Sequence, residues 1–313
     1  MAETPLTLSP MKRAGCLLFV TVPVAVTAVV YLFSPAESGS RDGGSTTAAA
    51  QSQDQDARAA KEEAEREADD AAVASMPPGL AAPEKKELAQ KIVTSAESAT
   101  LDWRSQYGSI EDTGDGDGYT AGIVGFCTGT HDLLTLVERY TKDHPGNGLA
   151  RYLPALREVD GTDSHEGLDP GFTAAWRAEA RVEAFREAQE TERDRVYFDP
   201  AVRLAKLDGL GTLGQFVYYD AMVLHGPDTD PDGFYGLRER AMEEADTPAQ
   251  GGEEKAYLDI FLDVRREAME RAKGPDRDTS RIDTAQRRFL HDGNTGLDTP
   301  LQWQVYGETY RVP

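Results

Sequence analysis

The chain has little cysteine: of 313 residues only Cys16 and Cys127 carry a thiol. Cys16 falls in an apolar N-terminal run, so everything downstream of that run has a single thiol and no intrachain disulfide framework. Cys127 is flanked by Gly125, Phe126, Thr128 and Gly129, and no recognisable motif pairs it with a histidine. A small buried hydrophobe is its expected role, ahead of a nucleophile. Basic residues are also scarce, 33 Lys and Arg against 55 Asp and Glu, which leaves a formal net charge of −22. That balance argues against nucleic acid as a partner, because phosphate-backbone binding works by Lys and Arg displacing counterions. A cationic partner suits it better, although acidity also serves simply to keep a secreted protein soluble. Strand-like runs are few, and there is no internal repeat.

At the N-terminus Met11-Lys12-Arg13 precedes the apolar run AGCLLFVTVPVAVTAVVYLF, residues 14–33, which has the pattern of an export signal. The protein is therefore expected to be secreted and extracellular, with cleavage near Ala28 or Ala36. The run is also long enough to cross a bilayer, so an uncleaved anchor on the outer face of the cell membrane is the alternative, with Lys12 and Arg13 inside. The segment Arg13-Ala14-Gly15-Cys16 is not a convincing lipid-attachment site. Residues 1–36 are thus read as signal peptide or signal anchor, and 37–80 as a disordered or solvated linker. Within that linker, residues 37–53 are small and polar and cannot order themselves. The run DQDARAAKEEAEREADDAAVA, residues 54–74, has good helix formers but no apolar stripe. Met76-Pro77-Pro78-Gly79 ends it, and residues 81–313 form the folded domain.

Helical periodicity dominates that domain. Pro83 suits a first helical turn, and Leu88, Ile92 and Ala96 follow at a spacing of four on one face. Further helices are expected over 130–141, 171–195, 207–224, 234–246, 252–273 and 282–291. Strands are expected at 119–126, YTAGIVGF, and in a short stretch near 302–310.

One turn, GSIEDTGDGDGYTAG at 108–122, looks at first like a calcium loop. Placing Asp115, Asp117 and Gly118 at loop positions 3, 5 and 6 puts Thr113 at position 1 and Val124 at position 12. The bidentate glutamate that a calcium loop needs there is missing, and no metal is expected. Glycosidic bond cleavage also calls for carboxylates, one protonated to serve the leaving oxygen and one ionised on the opposite side. Glu97, in the last turn of a helix and near Leu101 and Trp103, is a candidate acid. Asp115, on a glycine-rich and hydrated turn, is a candidate base, and the Thr120 hydroxyl is placed to hold a water beside it. Each also has an ordinary reading: a solvated helix end, a turn former and a β-branched strand residue.

The stretches SAESATLDW (95–103), IEDTGDGDGYTAGIVGFCTGT (110–130) and ERDRVYFDPAV (192–202) closely resemble the chitosanases of glycoside hydrolase family 46. So do GQFVYYDAMVLHGP (214–227), ADTPAQGG (245–252) and DTSRIDTAQRRFL (278–290), and the likeness runs from about residue 84 almost to the C-terminus. The resemblance implies a mainly α (α+β), two-lobed lysozyme-like fold with a small β-sheet and a substrate cleft between the lobes. It implies endo-hydrolysis of β-1,4 links between glucosamine units, with inversion and without cofactor. Glu97 matches the family's general acid, Asp115 its general base and Thr120 the residue that positions the water. Asp132 matches an acid that recognises a glucosamine amine. Asp220, Arg265 and Arg281 match a charge network behind the acid, with Arg281 nearest to Glu97. Trp103 is a candidate for stacking on a sugar, with the core or the lobe junction as the competing place. The cationic partner then becomes a polyamine sugar chain, chitosan, bound by a protein expected to be monomeric, with contact to a membrane only if the N-terminal segment is uncleaved.

Two departures from the family pattern stand out. Asp117 stands where a basic residue is expected, and RAKGPDR (271–277) replaces an acidic stretch, so distal acidic sugar contacts are not carried over. Two other readings remain open at this level. A non-catalytic module binding polycations would explain the acidity, and a peptidoglycan hydrolase on the same kind of fold would explain the two carboxylates.

Overall fold

The computed structural model describes residues 46–273 and 278–313. The expected export segment at 14–33, the first part of the linker and the end of RAKGPDR lie outside the described residues. A long helix, α1 (Thr46–Ser75), forms a unit of its own. It starts eight residues before the charged run, inside the stretch expected to stay unordered, because Ala48, Ala49, Ala50 and Gln51 carry helix propensity without needing an apolar face. From residue 63 to 75 only Val73 is even partly covered.

The second unit begins at Pro78. Helix α2 (Pro83–Ser98) starts at the expected proline and buries Leu88, Ala89, Ile92, Val93 and Ala96. It stops at Ala99, which takes a left-handed conformation with φ 52°. A 3₁₀ turn (Trp103–Gly108) leads into a three-stranded antiparallel sheet: β1 (Ile110–Asp112), β2 (Tyr119–Ala121) and β3 (Phe126–Cys127). The stretch expected as one strand at 119–126 is therefore a hairpin. Gly122 and Gly125, with φ of 76° and 77°, reverse the chain inside it.

Four helices follow, α3 (Asp132–Asp143), α4 (Leu153–Val159), α5 (Phe172–Glu179) and α6 (Glu183–Arg193). The single helix expected over 171–195 breaks between the last two, where Val182 is extended. A π-helical turn (Asp194–Phe198) then carries the chain directly into α7 (Asp199–Leu207), followed by α8 (Thr212–His225), α9 (Phe234–Glu244) and α10 (Glu254–Lys273). A second π turn (Arg281–Gln286) continues into α11 (Arg287–His291), and the chain ends in the hairpin β4 (Leu301–Val305) and β5 (Glu308–Val312). One strand was expected near 302–310; the left-handed pair Tyr306-Gly307 makes it two.

Packing sorts these elements into two lobes. The three-stranded sheet lies with α3 to α6, while α2 and α7 to α11 pack together with the terminal hairpin. Helix α6, the first π turn and α7 form the continuous crossing between them. In the second lobe α8 is enclosed on every side: all its residues but Thr212 and Val223 are buried. An acidic residue in that helix, Asp220, must find charged partners inside the protein or remain neutral.

Candidate active site

Glu97 occupies the last turn of α2, and its side chain is 19% exposed. The Nη1 of Arg281 donates a short hydrogen bond to its Oε1. The same guanidinium turns its other edge to Asp220: Nε donates to Oδ1 at 2.9 Å and to Oδ2 at 3.0 Å. Arg281 Nη2 lies 2.9 Å from Oδ1 as an ion-pair contact. Arg265 Nη2 donates to Asp220 Oδ2 at 2.9 Å, so one carboxylate holds two arginines. Burial opposes ionisation of Asp220, but the charges of Arg281 and Arg265 outweigh it and hold the carboxyl below its ordinary range. His225, one helical turn further on, is pushed well below its ordinary value by burial and by the two arginines, and stays uncharged. The three residues that the sequence grouped as a network are thus brought together, with Arg281 next to Glu97 as expected.

Asp115 sits on the turn between β1 and β2 and is exposed. Thr113 Oγ1 donates to its Oδ2 at 2.6 Å, and the Asp117 backbone N–H points to its Oδ1 at 3.3 Å. At its start the Gly114 N–H donates to Asp112 Oδ1 at 2.7 Å, within the turn itself, while its later end is tied to the segment after β3. The Asp117 carbonyl accepts the Gly129 N–H at 2.9 Å and the Thr128 hydroxyl at 3.3 Å. A Cβ on Gly129 would stand 2.9 Å from Asp117 Cα, so this close approach requires glycine. At the other end nothing lies within 4 Å of where a side chain would begin at Gly114 or Gly116. Thr120 is buried in β2, paired with Glu111 on one side and Cys127 on the other, and its Oγ1 lies 3.3 Å from Cys127 Sγ.

Asp132 begins α3 and is buried. Its Oδ1 accepts the Cys127 N–H at 2.7 Å and the Thr130 hydroxyl at 2.8 Å, and its Oδ2 accepts the Tyr197 hydroxyl at 2.7 Å. Burial pushes its carboxyl up to about 6 against the pull of these donors. A small cavity of about 160 Å³ opens beside it, with Glu192, Tyr197 and Pro227 in the wall, and so draws on both lobes and the crossing.

Trp103 is not in a position to meet a sugar. It is 3% exposed, Arg104 lies over its ring at 4.1 Å and Arg193 at 5.4 Å, and its Nε1 donates to Glu87 at 3.2 Å. The ring is filled into the protein where the 3₁₀ turn meets α2 and α6, so the lobe-junction reading replaces the sugar-stacking one. Two residues joined to the site were not singled out from the sequence, Tyr197 and Gln286. Both lie in stretches that carried the resemblance, but both sit on π turns, where the 3.6-residue period fails to assign faces.

Residues 91–301 match the sequence profile of glycosyl hydrolase family 46. The chain belongs to that family. It is 56% identical over 234 residues to a chitosanase of Streptomyces sp. (strain N174), covering 75% of this chain and 84% of the relative. A chitosanase of Nocardioides sp. (strain N106) is 53% identical over 234 residues, with 75% and 84% covered. A solved structure described as chitosanase OU01 with substrate superposes with a TM-score of 0.73 at 50% identity, over 76% of this chain and 100% of that one. The family 46 fold is lysozyme-like, in agreement with the two helical lobes and the small sheet. In this family 46 enzyme Glu97 stands in the helical lobe and Asp115 on the sheet of the other.

Proposed function

We propose that this enzyme is a chitosanase that cleaves β-1,4 links within glucosamine polymers and inverts the anomeric centre. The observation that carries the reading is the joined set Glu97, Arg281 and Asp220, in a family whose relatives named above are chitosanases. Glu97 gives its proton to the glycosidic oxygen as that bond breaks. Asp115, exposed on its turn, takes a proton from a water held by the Thr120 hydroxyl, and the water attacks from the opposite face. Arg281 is not the donor, because a guanidinium keeps its protons at working pH. It orients Glu97 and stabilises the carboxylate left after proton transfer. Asp132 receives an amine of the substrate, and the net negative charge of the protein draws the polycation to the cleft. The apolar run at 14–33 directs the protein out of the cytoplasm; the mass of the exported protein tells whether the run is removed.

Purified Glu97→Gln and Asp115→Asn variants test the two roles, each expected to lose activity on deacetylated polymer by at least about 100-fold. Wild-type turnover by either variant removes that role. Proton NMR of the first reducing end formed tests the stereochemistry: an initial β-anomer rejects inversion. Faster release from acetylated than from deacetylated polymer would favour a peptidoglycan-type substrate, and an unchanged polymer length a non-catalytic binding module.

A further inference from the structure

The geometry points to Gln286 as a positioning residue for the acid Glu97, delivered by the π turn Arg281–Gln286; this rests on the reading of Glu97 as general acid. Gln286 Oε1 accepts from Arg265 Nη1 at 2.7 Å, and its Nε2 donates to Asp220 Oδ2 at 2.5 Å. It is 1% exposed, and both contacts are to buried charged groups. The amide orientation follows from these partners, since an oxygen must face the guanidinium and an N–H the carboxylate. Among neutral side chains of that length only a carboxamide offers a donor and an acceptor together. It thereby closes a ring of three side chains, Asp220, Arg265 and Gln286, in which Asp220 Oδ2 accepts from Arg265 and Gln286 as well as from Arg281.

The helix geometry explains how one segment supplies both Arg281 and Gln286. In an α-helix, residues five apart are about 1.4 turns apart and face different ways. The π turn closes its hydrogen-bonded ring over five residues and so returns the side chain five positions on to the same face. Arg281 and Gln286 therefore converge on Asp220 from one turn of backbone. The consequence reaches Glu97 through Arg281. With Nε and Nη2 directed at a carboxylate that cannot shift, the guanidinium has one edge left, and its Nη1 meets Glu97. Gln286 itself touches neither Glu97 nor substrate.

Two variants read this. Gln286→Met keeps the length but removes both hydrogen bonds. Gln286→Glu keeps the acceptor for Arg265 and sets a carboxyl against Asp220. Both are expected to lower kcat about tenfold or more, with KM for a glucosamine oligomer within about twofold, because the acid is misplaced and binding is not. Gln286→Glu is further expected to move the alkaline limb of kcat against pH upward, since an added negative charge near Glu97 and Arg281 favours the protonated acid. A residue with a purely structural role would lower the melting temperature and leave kcat and the pH limb of the folded fraction unchanged. That outcome overturns the proposal, and if Gln286→Met does not fold the same readings on Gln286→Glu decide. Glu97→Gln is assayed alongside: if it keeps wild-type kcat, the general-acid reading has failed; if it is inactive while both Gln286 variants match wild type, only the role of Gln286 has failed.

Discussion

Glu97 and Asp220 lie at opposite edges of one guanidinium: Arg281 donates through Nη1 to the first and through Nε to the second. The Glu97 carboxyl is 19% exposed, whereas that of Asp220 is enclosed in α8. The orientation of Glu97 is therefore set from inside the core.

Replacing Asp220 by Asn removes the charge that Arg281 and Arg265 share. Both guanidiniums are buried, and an uncompensated buried charge destabilises strongly, so a loss of about 3–5 kcal/mol is expected in urea unfolding. Whatever remains folded should turn over slowly, with Arg281 no longer directed at Glu97. Unfolding midpoint and kcat measured together check this; stability within 1 kcal/mol of wild type, or thereabouts, contradicts it.

Asp132 should make both stability and binding depend on pH. Its folded-state value of about 6 lies above the ordinary 3.8, so between those values the folded protein binds more protons than the unfolded chain. Its contribution is therefore present at low pH and lost as pH rises through about 6, by at most about 3 kcal/mol. Urea titrations at pH 4 to 7 should show wild type losing ground to Asp132→Asn over that window. Binding runs the other way. Below pH 6 the carboxyl is neutral and attracts an ammonium group less, so KM for glucosamine oligomers should rise as pH falls through that value in wild type, and not in the variant.

Some of this arrangement is legible in the sequence and some is not. Helix α2 was clear, because Pro83 and the apolar spacing at Leu88, Ile92 and Ala96 agree on one face. The carboxylates and the arginines were legible only through whole stretches of resemblance, since no local spacing links Glu97 to Arg281, 184 residues away. The sheet was under-read: strands of two and three residues leave no alternation to detect, and glycines did the turning. Tyr197 and Gln286 escaped because a π turn adds a residue to the period and rotates every later side chain off the expected face. The aromatic chemistry of Trp103 suits sugars, and the residue that shuts its ring in alongside its neighbour Arg104 is Arg193, far along the chain.

Gly129→Ala should disturb the site without touching a reactive group. The new methyl would press on backbone atoms of Asp117, which cannot yield as a flexible side chain would. A loss of about 1–3 kcal/mol is expected, with a fall in kcat because the turn bearing Asp115 is displaced. Gly116→Ala has open space around it and only its φ of 103° to oppose it. Its effect on the unfolding midpoint should be the smaller of the two, and equal effects would argue against a fastened turn.

Ionic strength gives a further check. Attraction between an acidic protein and a polyamine chain is screened by salt, so KM for the polymer should rise between 50 mM and 500 mM salt, or about those values, while kcat changes less. A KM indifferent to salt would leave the negative charge as a matter of solubility alone.

The unequal ends of the 113–118 turn have one more consequence. Asp117 is tied across to Gly129, whereas Gly114 is held only within the turn, to Asp112, and Gly114 and Gly116 face open space, so Asp115 lies on the less enclosed side of the loop. Engineers seeking altered tolerance for bulkier sugars have a place to begin: lengthening the open side should shift Asp115, the proposed base, while the Asp117–Gly129 tie stays as it is.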